Sequence, residues 1–144
     1  MLIEISAIVG AITGSVSLGI VVYKTIKDKP SLQFEIENQY FYVPREYENF
    51  TNITIVIKIH NRGERNTTVH SSELSFSENG KNYNLHGKDY AASIPPDSSV
   101  TTFFQFELHK KDGEIKSKKF DGNIIISYTH GKKEMKVTNI ERIN

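Results

Sequence analysis

Five histidines, His60, His70, His86, His109 and His130, are the side chains best suited to hold a metal or move a proton near neutral pH. Their spacing supports neither role, because no H-x-x-x-H or H-E-x-x-H pattern places two of them on one helical face. The chain has no cysteine, which excludes a disulfide framework, a thiolate metal site and a thiol nucleophile. Serines are frequent, yet none sits in a G-x-S-x-G elbow. Gly80, Gly87, Gly113, Gly122 and Gly131 read as turn glycines rather than a phosphate-cradling loop, and Asp112-Gly113-Glu114 is too isolated to form a calcium loop. No catalytic residue, metal ligand or cofactor is therefore expected, and the protein is read as a non-enzyme.

What the side chains do offer is recognition. Tyr40, Tyr42, Tyr47 and Phe50 crowd around a polar loop at residues 44–50, the kind of aromatic display that suits a protein partner. Three N-x-S/T triplets put possible glycosylation at Asn49, Asn52 and Asn66, although a chain this rich in Asn, Ser and Thr carries such triplets by chance. Formal net charge is +1, and from Ser31 onward the 15 cationic side chains are matched by 15 acidic ones. So even a balance argues against charge-driven nucleic-acid binding.

The elements that must position these groups fall into two unlike parts. Residues 5–23 contain no charged side chain and are mostly apolar, close to the ~20 residues that span a ~30 Å hydrocarbon layer. No Lys or Arg precedes them and Glu4 occupies the would-be basic region, so a secretory signal is not expected. A buried core helix is the competing reading, but an all-β domain of about 114 residues has little room for it. Within the stretch, Ser6, Gly10 and Gly14 recur every fourth residue, as do Ala7, Ala11, Ser15 and Gly19. On a helix these rows lie side by side and form a small-residue face with a G-x-x-x-G centre. In lipid, close backbone approach rather than apolar bulk drives helix association, so the expected partners are membrane lipid and transmembrane helices of the same or other subunits. Lys24, Lys27 and Lys29 follow at once; the positive-inside tendency puts the domain in the cytoplasm, and the glycosylation triplets point the other way.

After Pro30 the period becomes two. Leu32, Phe34 and Ile36 alternate with Gln33, Glu35 and Glu37, and residues 40–43 read as an extension of that strand. Ile53, Ile55, Ile57 and Ile59 give the clearest strand in the chain. Asn61-Arg62-Gly63 is a turn, residues 67–76 a third strand, and Glu78-Asn79-Gly80-Lys81 a hairpin into a short strand near Tyr83 and Leu85. Residues 87–99 read as loop. Val100, Thr102, Phe104, Phe106 and Leu108 alternate again, then Ile124, Ile126 and Tyr128, and His130-Gly131-Lys132 turns onto Met135 and Val137.

The expected fold class is all-β: an immunoglobulin-like antiparallel β-sandwich of seven or eight strands preceded by one N-terminal transmembrane helix. Residues 1–29 form the helix and its basic flank, and residues 30–144 the sandwich. Threading strands up and down from the anchor brings Arg62, Arg65, Lys132 and Lys133 back beside Lys24, Lys27 and Lys29 as a membrane-proximal basic collar. The far end carries residues 44–50 and the loop at 110–119.

Asp28-Lys29-Pro30-Ser31-Leu32, Asn61-Arg62-Gly63, Ile94-Pro95-Pro96-Asp97-Ser98 and Tyr128-Thr129-His130-Gly131-Lys132 together resemble the turn chemistry of small prokaryotic, archaeal-type, membrane-anchored β-sandwich proteins. Leu2-Ile3-Glu4-Ile5 is similar to the start of type IV pilin-like and archaellin-like helices. The first resemblance is to proteins that mostly lack an assigned function, and it carries no functional residue over. The expectation from the residues themselves is a single-pass, non-catalytic interaction or scaffold subunit whose sandwich binds a protein partner. The second resemblance implies a structural filament subunit with a helical core and a β-sandwich exterior.

Overall fold

The computed structural model describes residues 31–88 and 91–144, so the helix-packing residues Ser6 to Gly19 and the cations Lys24, Lys27 and Lys29 lie outside the described residues. Within them every regular element is a strand: β1 (Leu32–Tyr42), β2 (Phe50–Asn61), β3 (Thr67–Glu78), β4 (Lys81–His86), β5 (Ala92–Ile94), β6 (Ser98–His109), β7 (Lys119–Tyr128) and β8 (Gly131–Arg142). Among the described residues no helix is long and apolar enough to cross a membrane.

The strands form one curled sheet in the order β4-β3-β7-β8-β1-β2-β6, with β5 on the margin of β3. Both blocks, β4-β3-β7-β8 and β1-β2-β6, are antiparallel throughout. They join at a short parallel seam, Tyr40 beside Glu141 and Phe41 beside Arg142. At the opposite margin, Gly87 bridges to Phe106 and the Lys88 N–H donates to the Gln105 carbonyl at 3.1 Å, so the sheet nearly closes on itself. Closing in this way brings the β4 and β6 margins together, and open margins are what make isolated sheets prone to pair with other chains.

The core is the contact between the two blocks. Ile53, Ile55, Ile57 and Ile59 of β2 are all fully buried and meet Ile124, Ile126, Val137 and Ile140 from β7 and β8 in one cluster. Each such side chain contributes about 1.5–3 kcal/mol on burial. A one-residue slip would turn the β2 row to solvent and cost about 6–12 kcal/mol, as much as a typical domain's entire stability. That is why register is fixed here. Aromatic rings fill the interior beside them: Phe41 and Phe120 at 5.3 Å, Phe76 and Phe120 at 4.7 Å.

Two local signals behave as the sequence demands. Asn79 and Gly80 both take positive φ, at 51° and 75°, in the two-residue turn joining Glu78 to Lys81. Asn61, fully buried, accepts from the Gly63 N–H at 2.9 Å and donates to the Arg65 and Ile94 carbonyls at 2.7 and 3.1 Å. Residues 92–94, expected within a loop, instead form β5, because that side chain and the pairing with residues 67–69 give their backbone a partner.

The largest departure concerns β1. Its pairing with β2 shifts between Ile36 and Asn38, so a bulge at Glu37 reverses the alternation. Before it, Leu32, Phe34 and Ile36 face the core; after it, Phe41 faces the core opposite Ile53, and Tyr40 and Tyr42 face outward. A matching irregularity sits in β8, where Asn139 takes φ 52° and its N–H is satisfied by Asp121 Oδ1 at 2.9 Å. Between the two bulges the Gln39 side chain donates to the Thr138 carbonyl at 3.0 Å, stitching the seam.

Candidate interaction surface

Residues 43–49 connect β1 to β2, and a polar lattice fixes their shape. The Tyr42 hydroxyl lies 2.5 Å from both carboxylate oxygens of Glu48. Glu48 also accepts the Arg45 N–H at 3.0 Å, and its own N–H donates to the Arg45 carbonyl at 3.0 Å. The hydrogen bond to Glu48, with desolvation second, raises the Tyr42 hydroxyl above its ordinary pKa. The same bond, followed by the Arg45 N–H, lowers the Glu48 carboxyl. Tyr42 is half-buried and its hydroxyl is engaged with Glu48, so it holds the loop.

The loop at 110–118 leans on the first. The Lys110 N–H donates to the Asn49 carbonyl at 2.8 Å and its ammonium to the Arg45 carbonyl at 3.2 Å. Glu78, only 5% exposed, accepts from the N–H groups of Lys116 and Ser117 at 3.1 and 3.0 Å and from the Ser117 hydroxyl at 2.8 Å. Sequence gave this carboxylate no role beyond a turn. The signal for it is weak, since only the fold brings residue 78 to residue 117. Phe50, half-buried, packs edge-on against His109 at 6.0 Å. Tyr47 is 76% exposed at the crest of a loop tied down on both sides.

Below this tip runs the outer face of β1-β2-β6. Register sets cross-strand rows: Tyr42, Asn52 and Glu107; Tyr40, Thr54 and Gln105; Asn38, Val56 and Phe103. Thr54 and Val56 are buried although they face away from the core, because their neighbours on both sides cover them. Phe103 is 57% exposed beside Val56. The tip and this face together make a continuous surface with two displayed aromatic rings, Tyr47 and Phe103, and a half-buried one, Tyr40.

The other end carries the collar residues. Arg62 donates its N–H to the Ser31 carbonyl at 2.8 Å, and the turn at 129–130 is tied to Thr68 by the Thr129 N–H at 3.0 Å. Arg62, Arg65, Lys132 and Lys133 therefore sit at the end where β1 begins, and Tyr47 at the opposite end. Of the N-x-S/T asparagines, Asn49 and Asn66 are exposed in loops, whereas Asn52 is half-buried in mid-strand with its side-chain oxygen enclosed. The fold also brings together a pair that the sequence did not mark: His60 Nδ1 and Ser99 Oγ, 2.5 Å apart on neighbouring strands. Such a pair is one element of nucleophilic machinery, which needs in addition an orienting group and oxyanion donors. Among the described residues no group of three or more His, Asp or Glu side chains is placed to hold a metal ion.

No protein-family model and no curated protein sequence matches the chain. Solved structures do. A Bacillus subtilis chain described as a lipoprotein, ycdA, superposes with a TM-score of 0.51 at 14% identity over 78% of this chain, which spans 38% of that chain's length. A Clostridium difficile β-sandwich protein gives 0.45 at 13% identity, covering 77% of this chain and 91% of that one. The apo PCuAC domain from PmoF1 gives 0.46 at 13% identity, covering 76% and 94%. At these identities the likeness is one of fold alone.

Proposed function

We propose that this chain is a non-catalytic, membrane-anchored binding subunit whose sandwich presents its distal tip and the adjoining β1-β2-β6 face to a protein partner. The observation that carries this reading is Tyr47, an exposed aromatic side chain on a loop held by the Tyr42–Glu48 clasp and by Lys110. Binding energy concentrates in aromatic anchors, and a loop already fixed in shape loses little further freedom on association. The basic residues Arg62, Arg65, Lys132 and Lys133 at the opposite end are consistent with anionic headgroups below the domain, so the tip points away from lipid. The strand order, with β1-β2-β6 facing β4-β3-β7-β8, supports an immunoglobulin-like arrangement of the sandwich. The apolar run at residues 5–23 supports a single-pass anchor.

The test combines extraction with crosslinking. The full-length chain should stay with the membrane in alkaline carbonate and leave it only in detergent. A photoreactive residue at position 47 should give one discrete crosslinked species in native membranes, and the same residue at Asn84 on β4 should not. Release by carbonate, or equal crosslinking from both positions, overturns the reading.

A further inference from the structure

Ile57, Ile59 and Asn61 are fully buried, which turns Lys58, His60 and Arg62 to the outer face of β2 and its extension. The three form one row, spaced by about 6.6–6.8 Å along the strand. Register sets their neighbours. On β1, Glu35 lies beside Lys58 and Gln33 beside His60, and the Arg62 N–H donates to the Ser31 carbonyl. On β6, Ser99 lies beside His60. All of these but Ser31 line a single cleft of about 580 Å³. That volume lies within the roughly 300–1,000 Å³ of ordinary ligand sites.

The row offers donors to an anion. Neither Lys58 nor Arg62 forms an ion pair among the described residues, although Glu35 is the register neighbour of Lys58. Between the two cations the imidazole is held by one nitrogen, His60 Nδ1, 2.5 Å from Ser99 Oγ. With the Ser99 hydroxyl donating to Nδ1, the neutral ring carries its proton on Nε2 and has that N–H to give. Two cations against one carboxylate suit an anion of single charge, such as a phosphodiester. Glu35 and Gln33 add acceptors beside it, which suit hydroxyl groups. Lys133 borders the cleft from β8, on the face shared with Met135, and adds to the field without joining the row.

We infer that this cleft binds the headgroup of an anionic polyol phospholipid, of which phosphatidylglycerol is the simplest. Lys58, His60 and Arg62 take the phosphodiester, and Glu35 and Gln33 take the hydroxyls. The length of the tether places the site at the membrane surface. Tyr23, the last residue of the apolar run, is eight residues from Ser31, at most about 26–29 Å of extended chain. A nucleic acid is a poor match, since cationic and acidic side chains balance from Ser31 onward. The inference rests on the membrane-anchored reading, and it gives one defined pocket to what is otherwise a diffuse basic collar.

Solution NMR of the full-length chain in phosphatidylcholine nanodiscs tests it, with phosphatidylglycerol added in steps. The Lys58, His60 and Ser99 amides and the His60 ring should shift and saturate. Lys58→Gln and His60→Ala should each weaken the response about tenfold, the effect of one charge-assisted bond, and Lys136→Gln on the outer face of β8 should not. Free glycerol 3-phosphate at the same bulk concentration should not saturate the site, because only the lipid is confined to the surface that holds the protein. The headgroup site is overturned if the shifts never saturate, if Lys132→Gln weakens them as much as Lys58→Gln, or if free glycerol 3-phosphate matches the lipid. In each of these cases a chain that still resists carbonate keeps its anchor and loses only this pocket.

Discussion

The Tyr42 hydroxyl, 2.5 Å from both carboxylate oxygens of Glu48, closes the loop that displays Tyr47. The bond moves the two groups in opposite directions, Tyr42 up and Glu48 down, and therefore fixes the pH window in which the clasp stabilises the fold. A depressed carboxyl contributes above its ordinary value of 4.5 and loses that contribution as pH falls through its lower folded value. A raised phenol contributes below 10.0 and loses its contribution as pH rises through its higher folded value. Calorimetry should find the melting difference between the native chain and Tyr42→Phe constant from about pH 6 to about pH 9 and shrinking toward both extremes. A difference that is flat into strong acid would show that the clasp adds nothing.

Glu78 does for the second loop what Glu48 does for the first, but from inside the protein. Removing it by Glu78→Ala leaves two backbone N–H groups, of Lys116 and Ser117, without their acceptor. Bonds to a charged acceptor are worth about 1.5–3 kcal/mol, so urea titration should show a loss of roughly 2–3 kcal/mol. Glu78→Gln keeps an acceptor oxygen and should cost about 1 kcal/mol. Equal losses for both would locate the effect in packing instead.

How much of this was legible in the sequence depends on the range of the interaction. The Ile53 to Ile59 row, the Asn79-Gly80 turn and the Asn61 turn are local, and each carries its own signature: period, positive φ, or an asparagine side chain that accepts a backbone N–H two residues on. The bulge that turns Tyr40 and Tyr42 outward was not legible, because it inserts one residue without changing composition, and Gln-Tyr-Phe-Tyr reads equally well in either phase. Glu78 and Ser117, or His60 and Ser99, stand 39 residues apart in each case and meet only through topology. The tip was anticipated as a place, since residues 44–50 and 110–119 do converge; which of its aromatic rings is displayed was not.

Gly80 carries backbone strain alone, whereas Gly113, at φ +158°, combines it with crowding. At Gly80, φ is +75° and nothing lies within 4 Å of a would-be Cβ, so Gly80→Ala should cost about 1 kcal/mol through conformation alone. At Gly113 a Cβ would overlap the Tyr83 ring, which is itself stacked on Phe76 at 5.1 Å. Gly113→Ala should therefore displace that ring, costing about 1–3 kcal/mol and shifting the Tyr83 and Phe76 ring resonances in NMR spectra. Unmoved resonances would mean that the loop, rather than the ring, gives way.

Phe103 and Phe106 lie three residues apart on β6 and face opposite ways, Phe103 outward beside Val56 and Phe106 inward opposite Ile53. Phe106 is fully buried, and its truncation to alanine should cost about 3–5 kcal/mol by loss of transfer energy plus a cavity. Phe103 is 57% exposed and covers part of Val56, so Phe103→Ala should cost only about 1 kcal/mol, most of it from uncovering the valine. Denaturant titration of the two variants thus measures how sharply β6 divides core from display. A large aromatic side chain that stabilises its own domain so little is available to stabilise something else. If Phe103→Ala instead approached Phe106→Ala in cost, the outer face would be part of the domain's own packing, and its claim to be a binding surface would go with it.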